Sequence, residues 1–286
     1  MNGFGMPVVL VGKFFYGWII LLVLVLLVWL VYQRKQPKAK ASTLPLWKRV
    51  VSLIITGIVM ALVTVCYFHS LGYLPISLAV VLLFQYAWMG VVIESVVNRK
   101  LPSRNKVLAC LVIVVGTILA GGIIGSGLSL AEMNPIGILL GLLAAFFYAL
   151  FVHLSGRVSP HLAPMNRSFF IATAGMAFVL VFVGGVYGGA AVLEGITNVD
   201  ALAYSIPLGL FGIAIPIFFL AVGAPKISTG MATILNSAEL PVEVLAAAVI
   251  ILEPVAPLRW VGVVIILLGI ALPYILERRI TSGLES

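Results

Sequence analysis

The sequence predicts an all-α polytopic membrane protein with about nine transmembrane helices, drawn from a ten-helix, five-plus-five inverted repeat. Three observations carry that prediction. The 286 residues are 63% hydrophobic and only 9% charged, against roughly 25% charged in a soluble domain. The apolar residues fall in runs long enough to cross a bilayer as helices, which takes about 20 residues, and they lack the polar alternation of barrel strands. Nearly all the basic residues lie in alternate gaps between those runs.

Taken in order, the spans run over residues 8–32, 50–71, 74–97, 106–125, 135–156, 167–189, 202–222, 227–252 and 258–276. Turn residues and charges break them, as in "NRKLPSRNK", "GRVSPHLAPMNR" and "EGITNVD". The first run does not read as a cleavable signal peptide, because it carries no charge before Lys13 and continues to about Tyr32. Cys66 and Cys110 both fall inside apolar runs and read as small buried thiols.

One set of gaps holds 15 of the 17 basic residues, from Arg34 through Arg99, Lys106, Arg157, Arg167 and Lys226 to Arg279. The other set holds Lys13 and Arg259 together with Glu132, Glu194, Asp200 and Glu253. The positive-inside rule makes the first set cytoplasmic, which places the C-terminus inside and the N-terminus of this chain outside. The net charge of +8 therefore orients the protein in a bilayer and gives no sign of a nucleic-acid partner.

The stretch from Ile76 matches the stretch from Thr229 at a constant offset of 153: Ala79 meets Ala232, Leu82 meets Leu235, Lys106 meets Arg259 and Gly116 meets Gly269. The matched spans are five helices apart, an odd number, so partners cross the membrane in opposite directions. That is an inverted-topology repeat, a common plan of secondary transporters. It divides the chain into a first half, 1–125, and a second half, 135–279. The partner of span 135–156 would end where this chain begins, so the expectation is that the first half lacks its opening helix.

The segments "LPISLAVVLLFQYAWMGVVIESVVNRKLPSRNKVLACLVIVVGTIL" and "ISTGMATILNSAELPVEVLAAAVIILEPVAPLRWVGVVIILLGIAL" resemble the ends of the two halves of the drug/metabolite transporter superfamily, in particular its EamA-like branch. The second copy keeps a Glu-Pro pair at Glu253-Pro254. The first has Asn98-Arg99-Lys100 where the acid would stand, and "SAELP" puts a leucine between Glu239 and Pro241. The resemblance implies an integral protein of a bacterial plasma membrane. It would move a small metabolite, amino acid or drug-like molecule, in the outward direction, through a cavity between the halves, with no cofactor.

Candidate site residues cluster at mid-span. Glu239 lies at the depth where a charge is most costly. Glu243 follows one turn later on the same face, Asn236 precedes it by about one turn, and Pro241 favours a kink. Such a polar stripe beside a broken helix is expected at a transporter's midplane site. Its acid would bind a cationic group or take up a coupling proton. The structural alternative is a protonated glutamate satisfied by a neighbouring helix. Gln85, Tyr86 and Trp88 occupy the equivalent depth of the partner span, Tyr86 aligning with Glu239, and Tyr148 lies in the fifth span. Gln85 suits a polar ligand or an interhelical hydrogen bond. Trp88 could stack on a ligand or pack.

Tyr67 and His69 fall near a span end, and His153 near an interface, where solvated or structural roles are expected. Glu94, close to Arg99, reads as an interfacial acid. The pairs Gly137/Gly141, Gly184/Gly188 and Gly185/Gly189 fit close helix crossings, within the chain or in a homodimer. No hydrolase, P-loop or metal-site signature is present. A polytopic membrane enzyme with midplane carboxylates, or a truncated inactive transporter relative, remain the alternatives to a transporter.

Overall fold

The computed structural model describes residues 5–32, 45–122, 134–160, 162–249, 252 and 255–282. Arg34 to Lys40, Glu132 and the Glu253-Pro254 pair lie outside them.

The described residues form helices and no strands. In order these are α1 (Met6–Tyr32), α2 (Leu46–Ser70), α3 (Ile76–Leu83), α4 (Tyr86–Asn98), α5 (Arg104–Ala120), α6 (Pro135–Arg157), α7 (Pro164–Tyr187), α8 (Gly189–Thr197), α9 (Val199–Gly209), α10 (Ile215–Gly223), α11 (Thr229–Asn236), α12 (Glu239–Val249) and α13 (Pro257–Ser282). Among the described residues, eight segments are long and apolar enough to cross a membrane; three of them are interrupted, combining α3 with α4, α9 with α10, and α11 with α12. The ninth expected span is α5. Its 17 residues sit at the short end of what a bilayer requires. The molecule is a polytopic membrane protein, and its burial pattern agrees with lipid as solvent. Large apolar side chains such as Val31, Phe211 and Leu268 are exposed, while Thr56, Ser70, Thr117 and Thr233 are buried. Small hydroxyl residues let helices approach, and several close on their own helix, as Thr56 Oγ1 does on the Ser52 carbonyl at 2.7 Å.

Helix starts recur at the repeat offset. Leu46, Ile76, Tyr86 and Arg104 begin helices, and so do their counterparts Val199, Thr229, Glu239 and Pro257.

The chain packs as two compact units. The first comprises Met1–Val65 and Leu154–Lys226. In it α1 lies against α7, α8 and α9. Gly12 meets Ser205 and Gly17 meets Gly209 and Ile213, so α1 and α9 run parallel in close contact. Pro207 inside α9 removes one helical hydrogen bond, and the chain widens into a π turn, Leu210–Ala214, before α10. The segment after Gly188 forms α8, a short helix where the sequence reads as a loop. Arg167, counted among the loop charges above, is 1% exposed within α7. Its guanidinium donates to the carbonyls of Val158 and Ala221. These lie at the C-terminal ends of α6 and α10, where carbonyls lack helical partners.

The second unit comprises Cys66–His153 and Ile227–Ser286. Its most extensive contact joins α5 to α13. Gly116 lies against Ile266, Gly269 against Ile113, and Gly262 against the backbone of Ala120. As the position on α5 advances, its partner on α13 recedes, so the helices run antiparallel. The contact is also reciprocal. Ile113 and Ile266 are repeat counterparts, as are Gly116 and Gly269, and each isoleucine fills the space over the other's glycine. A reciprocal contact of this kind marks a local two-fold axis. Cys110 is buried here as a free thiol beside the Ala87 carbonyl, and Cys66 is buried and free as well.

The glycine pairs divide. Gly137 packs on Tyr73 and Leu74, and Gly141 on Leu82. A Cβ added at Gly185, Gly188 or Gly189 would meet nothing within 4 Å, and one at Gly184 only Val192, at 3.8 Å. Small-residue spacing permits a close crossing, but a partner helix must be there to use it, and for these four among the described residues it is not.

Candidate functional site

The site is built on two interrupted spans of the second unit. In the α11–α12 span the helix ends at Asn236, turns through Ser237 and Ala238, and restarts at Glu239. The cause is Pro241. It has no N–H to give the Ser237 carbonyl four residues back, and its ring crowds that carbonyl. The amides of Ser237 and Ala238 tighten instead onto Ile234 and Leu235 at 3.2 and 3.1 Å. Pro241 then sits in the first turn of α12, where a missing N–H costs nothing. The break therefore precedes the proline rather than kinking around it.

The α3–α4 span breaks at Phe84 and Gln85, the repeat counterparts of Ser237 and Ala238, with no proline. Here a side chain stands in for the backbone. Gln85 Nε2 donates to the Val81 carbonyl at 2.9 Å, and Gln85 Oε1 accepts from Trp88 Nε1 at 3.0 Å. Both ends of the Gln85 amide are thus engaged within the span.

Around the second break the candidate residues gather. Glu239 opens α12, and the positive end of that half-helix favours its carboxylate. Glu243 follows one turn later, and both side chains are exposed. From α6, Tyr148 Oη donates to Glu239 Oε2 at 3.4 Å. The Tyr148 ring lies against Tyr86, centroids 4.3 Å apart and planes inclined by 37°. Tyr86 is 1% exposed, and its hydroxyl is within electrostatic reach of Glu239 and Glu243. Asn236 points its amide at Tyr148 and Ser237 faces Tyr86. Even so, neither Asn236 Nδ2 nor Tyr86 Oη completes a hydrogen bond of normal geometry. Two buried polar groups with unspent capacity beside two carboxylates can receive a polar ligand.

Of the sequence candidates, the structure brings together Glu239, Glu243, Asn236, Tyr86 and Tyr148. Gln85 and Trp88 are paired to each other. Tyr67, near the end of α2, is a site neighbour that the reading above left out: it lies within electrostatic reach of Glu243 and Glu239. His153 is buried with Nδ1 2.9 Å from Thr229 Oγ1, a structural position. Glu94 does not pair with Arg99. Its partner is Lys106, at 2.7 Å.

The model of the EamA-like transporter family matches residues 135–275, the segment that supplies α6, α11 and α12. The chain belongs to the EamA-like transporter family. It is a membrane transporter protein of the drug/metabolite type. A solved crystal structure of another protein is similar over 98% of this EamA-like chain and 90% of its own, with a TM-score of 0.70 and 17% identity. At that identity the likeness shows the fold alone. Comparison with curated proteins gives no match.

Proposed function

We propose that this EamA-like protein is a secondary transporter that exports a small metabolite or drug-like molecule by alternating access between two inverted repeats. The carrying observation is the pair of interrupted spans whose breaks fall at counterpart positions of the repeat, one of them opening α12 with an acid at mid-span. Interrupted helices at corresponding positions of two halves are the feature transporters use for midplane binding. The matching helix starts and the antiparallel, reciprocal α5–α13 contact support the repeat and its inversion. The charge partition supports a cytoplasmic C-terminus, and the family resemblance supports a place in a plasma membrane.

In this reading Glu239 and Glu243 receive either the cationic group of a substrate or a proton. An exposed carboxylate at mid-span cannot face hydrocarbon in its charged form, so the exposed edges of both acids border water. Tyr67, Tyr86 and Tyr148 supply hydroxyls and ring faces, which attract organic cations as well as apolar groups. Neutralising the acids lowers the cost of passing between outward and inward packings, and that couples the bound species to the conformational change.

The test is flux in proteoliposomes carrying an imposed pH gradient, screened against a panel of small cations, zwitterions and neutral molecules. Saturable flux of at least one compound, lost in Glu239→Gln with membrane insertion intact, is the expected result. Undiminished flux in that variant refutes the role of Glu239, and chemical conversion of a compound by the purified protein would favour an enzyme.

A further inference from the structure

The loop between α4 and α5 lies at the ends of two membrane segments and encloses a cavity. Its shape follows from the sequence. Arg99 ends α4 in a left-handed conformation (φ 51°), and the Lys100 amide closes on the Ser95 carbonyl at 3.1 Å. Pro102 has no N–H with which to prolong a helix, and Ser103 caps α5 by accepting from the Lys106 amide. The chain therefore reverses between Arg99 and Ser103. The cavity, of about 170 Å³, is bordered by Glu94, Ser95 and Asn98 of α4, by Lys100 and Ser103 of the loop, and by Lys106 of α5. One water needs only about 10–15 Å³ of such space, so a phosphate group has room.

The charge around this cavity is one-sided. Glu94 is the acid on its border, and both its oxygens are engaged. Oε1 accepts from Lys106 Nζ at 2.7 Å, and Oε2 accepts from the Gly230 amide at 2.6 Å. Lys106 Nζ gives a second N–H to Ser228 Oγ at 2.9 Å, and an ammonium has three to give. Lys100 is exposed. Like its neighbours Arg99 and Arg104, it makes no side-chain ion pair among the described residues. Three uncompensated cations within six residues thus stand beside a neutralised pair. The adjoining surface is apolar. Leu101, between Lys100 and Ser103, is 95% exposed. Leu108, Leu111, Val115 and Ile118 are exposed as well, and spacings of three and four residues put them on one face of α5.

We propose that this cavity binds the phosphate headgroup of an anionic phospholipid, whose acyl chain lies along the α5 face from Leu108 to Ile118. Lys100 and the remaining N–H of Lys106 hold the phosphate oxygens, and Asn98 and Ser103 add an amide and a hydroxyl. Arg99 and Arg104 supply further positive charge at the rim, and Leu101 sits among the chains. Basic pockets at the cytoplasmic ends of membrane helices suit such headgroups, and the charge partition puts this end on the cytoplasmic side. A zwitterionic lipid carries its own cation beside the phosphate and gains less from the unpaired lysine and arginines. A free phosphate has no chain for the apolar face. The lipid is a resident partner and not cargo, so the inference does not rest on the transporter reading.

The test uses the full chain in neutral detergent and native mass spectrometry, with phosphatidylglycerol and phosphatidylcholine of identical acyl chains added in turn. Phosphatidylglycerol is expected to bind more tightly by about tenfold or more. Lys100→Gln combined with Arg104→Gln should remove most of that preference, at roughly fivefold for each charge. Both side chains are exposed and unpaired, so the fold stands in this variant. A control pair, Lys40→Gln with Lys48→Gln, takes the same charge from the preceding basic gap and should leave the preference unchanged. Glycerol 3-phosphate and inorganic phosphate should not displace the lipid. Equal binding of the two lipids overturns the site, and so does an equal loss in the control pair, which would mark a general effect of surface charge. Displacement by either water-soluble phosphate overturns it as well, because the ligand is then a free anion. A lipid-free dimer does the same, with a second copy covering the α5 face.

Discussion

The spans α3–α4 and α11–α12 contain the same interruption made by different means, and the contrast separates what the fold needs from what the site needs. Both break after eight helical residues, and both restart past a two-residue turn. In one span the glutamine side chain satisfies a freed carbonyl, and a tyrosine opens the next half-helix. In the other a proline forbids continuation, and a glutamate opens the next half-helix. The break is thus common to both spans and the charge belongs to one. A carboxylate at mid-span is expensive, and one acidic wall facing tyrosines gives the site polarity without doubling that cost.

The largest way to break this asymmetry is Glu239→Gln. Flux driven by a pH gradient is expected to fall to background while the protein still inserts and unfolds near its native temperature, as followed by flux assay and thermal melt. The reciprocal change, Tyr86→Phe, keeps the aromatic contact with Tyr148 and should leave coupling in place. Next in size is the glutamine cap. Gln85→Leu leaves the Val81 carbonyl without its side-chain donor and frees the Trp88 indole, and is expected to cost about 1–2 kcal/mol in detergent unfolding. Pro241→Ala sharpens the comparison from the other side. Alanine restores an N–H for the Ser237 carbonyl, so stability should hold or rise by about 1 kcal/mol. Flux should fall several-fold nevertheless, as the half-helices merge and Glu239 loses its helix N-terminus. A fall in stability together with flux would show that the break is not set by this proline. The smallest effect is expected for Tyr148→Phe. Its 3.4 Å bond to Glu239 is worth about 0.6 kcal/mol on the membrane average, roughly a threefold change in apparent affinity.

Much of this was legible in the sequence because lipid imposes a simple grammar. Span number and length follow from where apolar runs stop and charges begin, and the offset of 153 residues anticipates where several helices start. What stayed hidden depends on neighbours that are distant along the chain. Tyr67 lies in the last turn of α2, and nothing local says that this end approaches Glu243. Glu94 has Arg99 close by in sequence, but Arg99 takes a left-handed conformation (φ 51°) to end α4. The chain then turns and delivers Lys106 instead. Gln85 looks the same in a sequence whether its amide faces a ligand or its own helix. Glycine spacing is equally mute, since Gly141 and Gly185 occupy similar patterns and, among the described residues, only the first packs against a neighbouring side chain.

The reciprocal contact between α5 and α13 also constrains how this chain can change over time. A larger residue at Gly116 requires a smaller one at Ile266, and the identical bargain binds Gly269 to Ile113. Since the two exchanges lie on the same pair of helices, an error in either pushes apart the seam that the other maintains. These four positions therefore drift together or not at all, and a stretch of either half that diverges freely elsewhere must still be written, here, to be read from both ends.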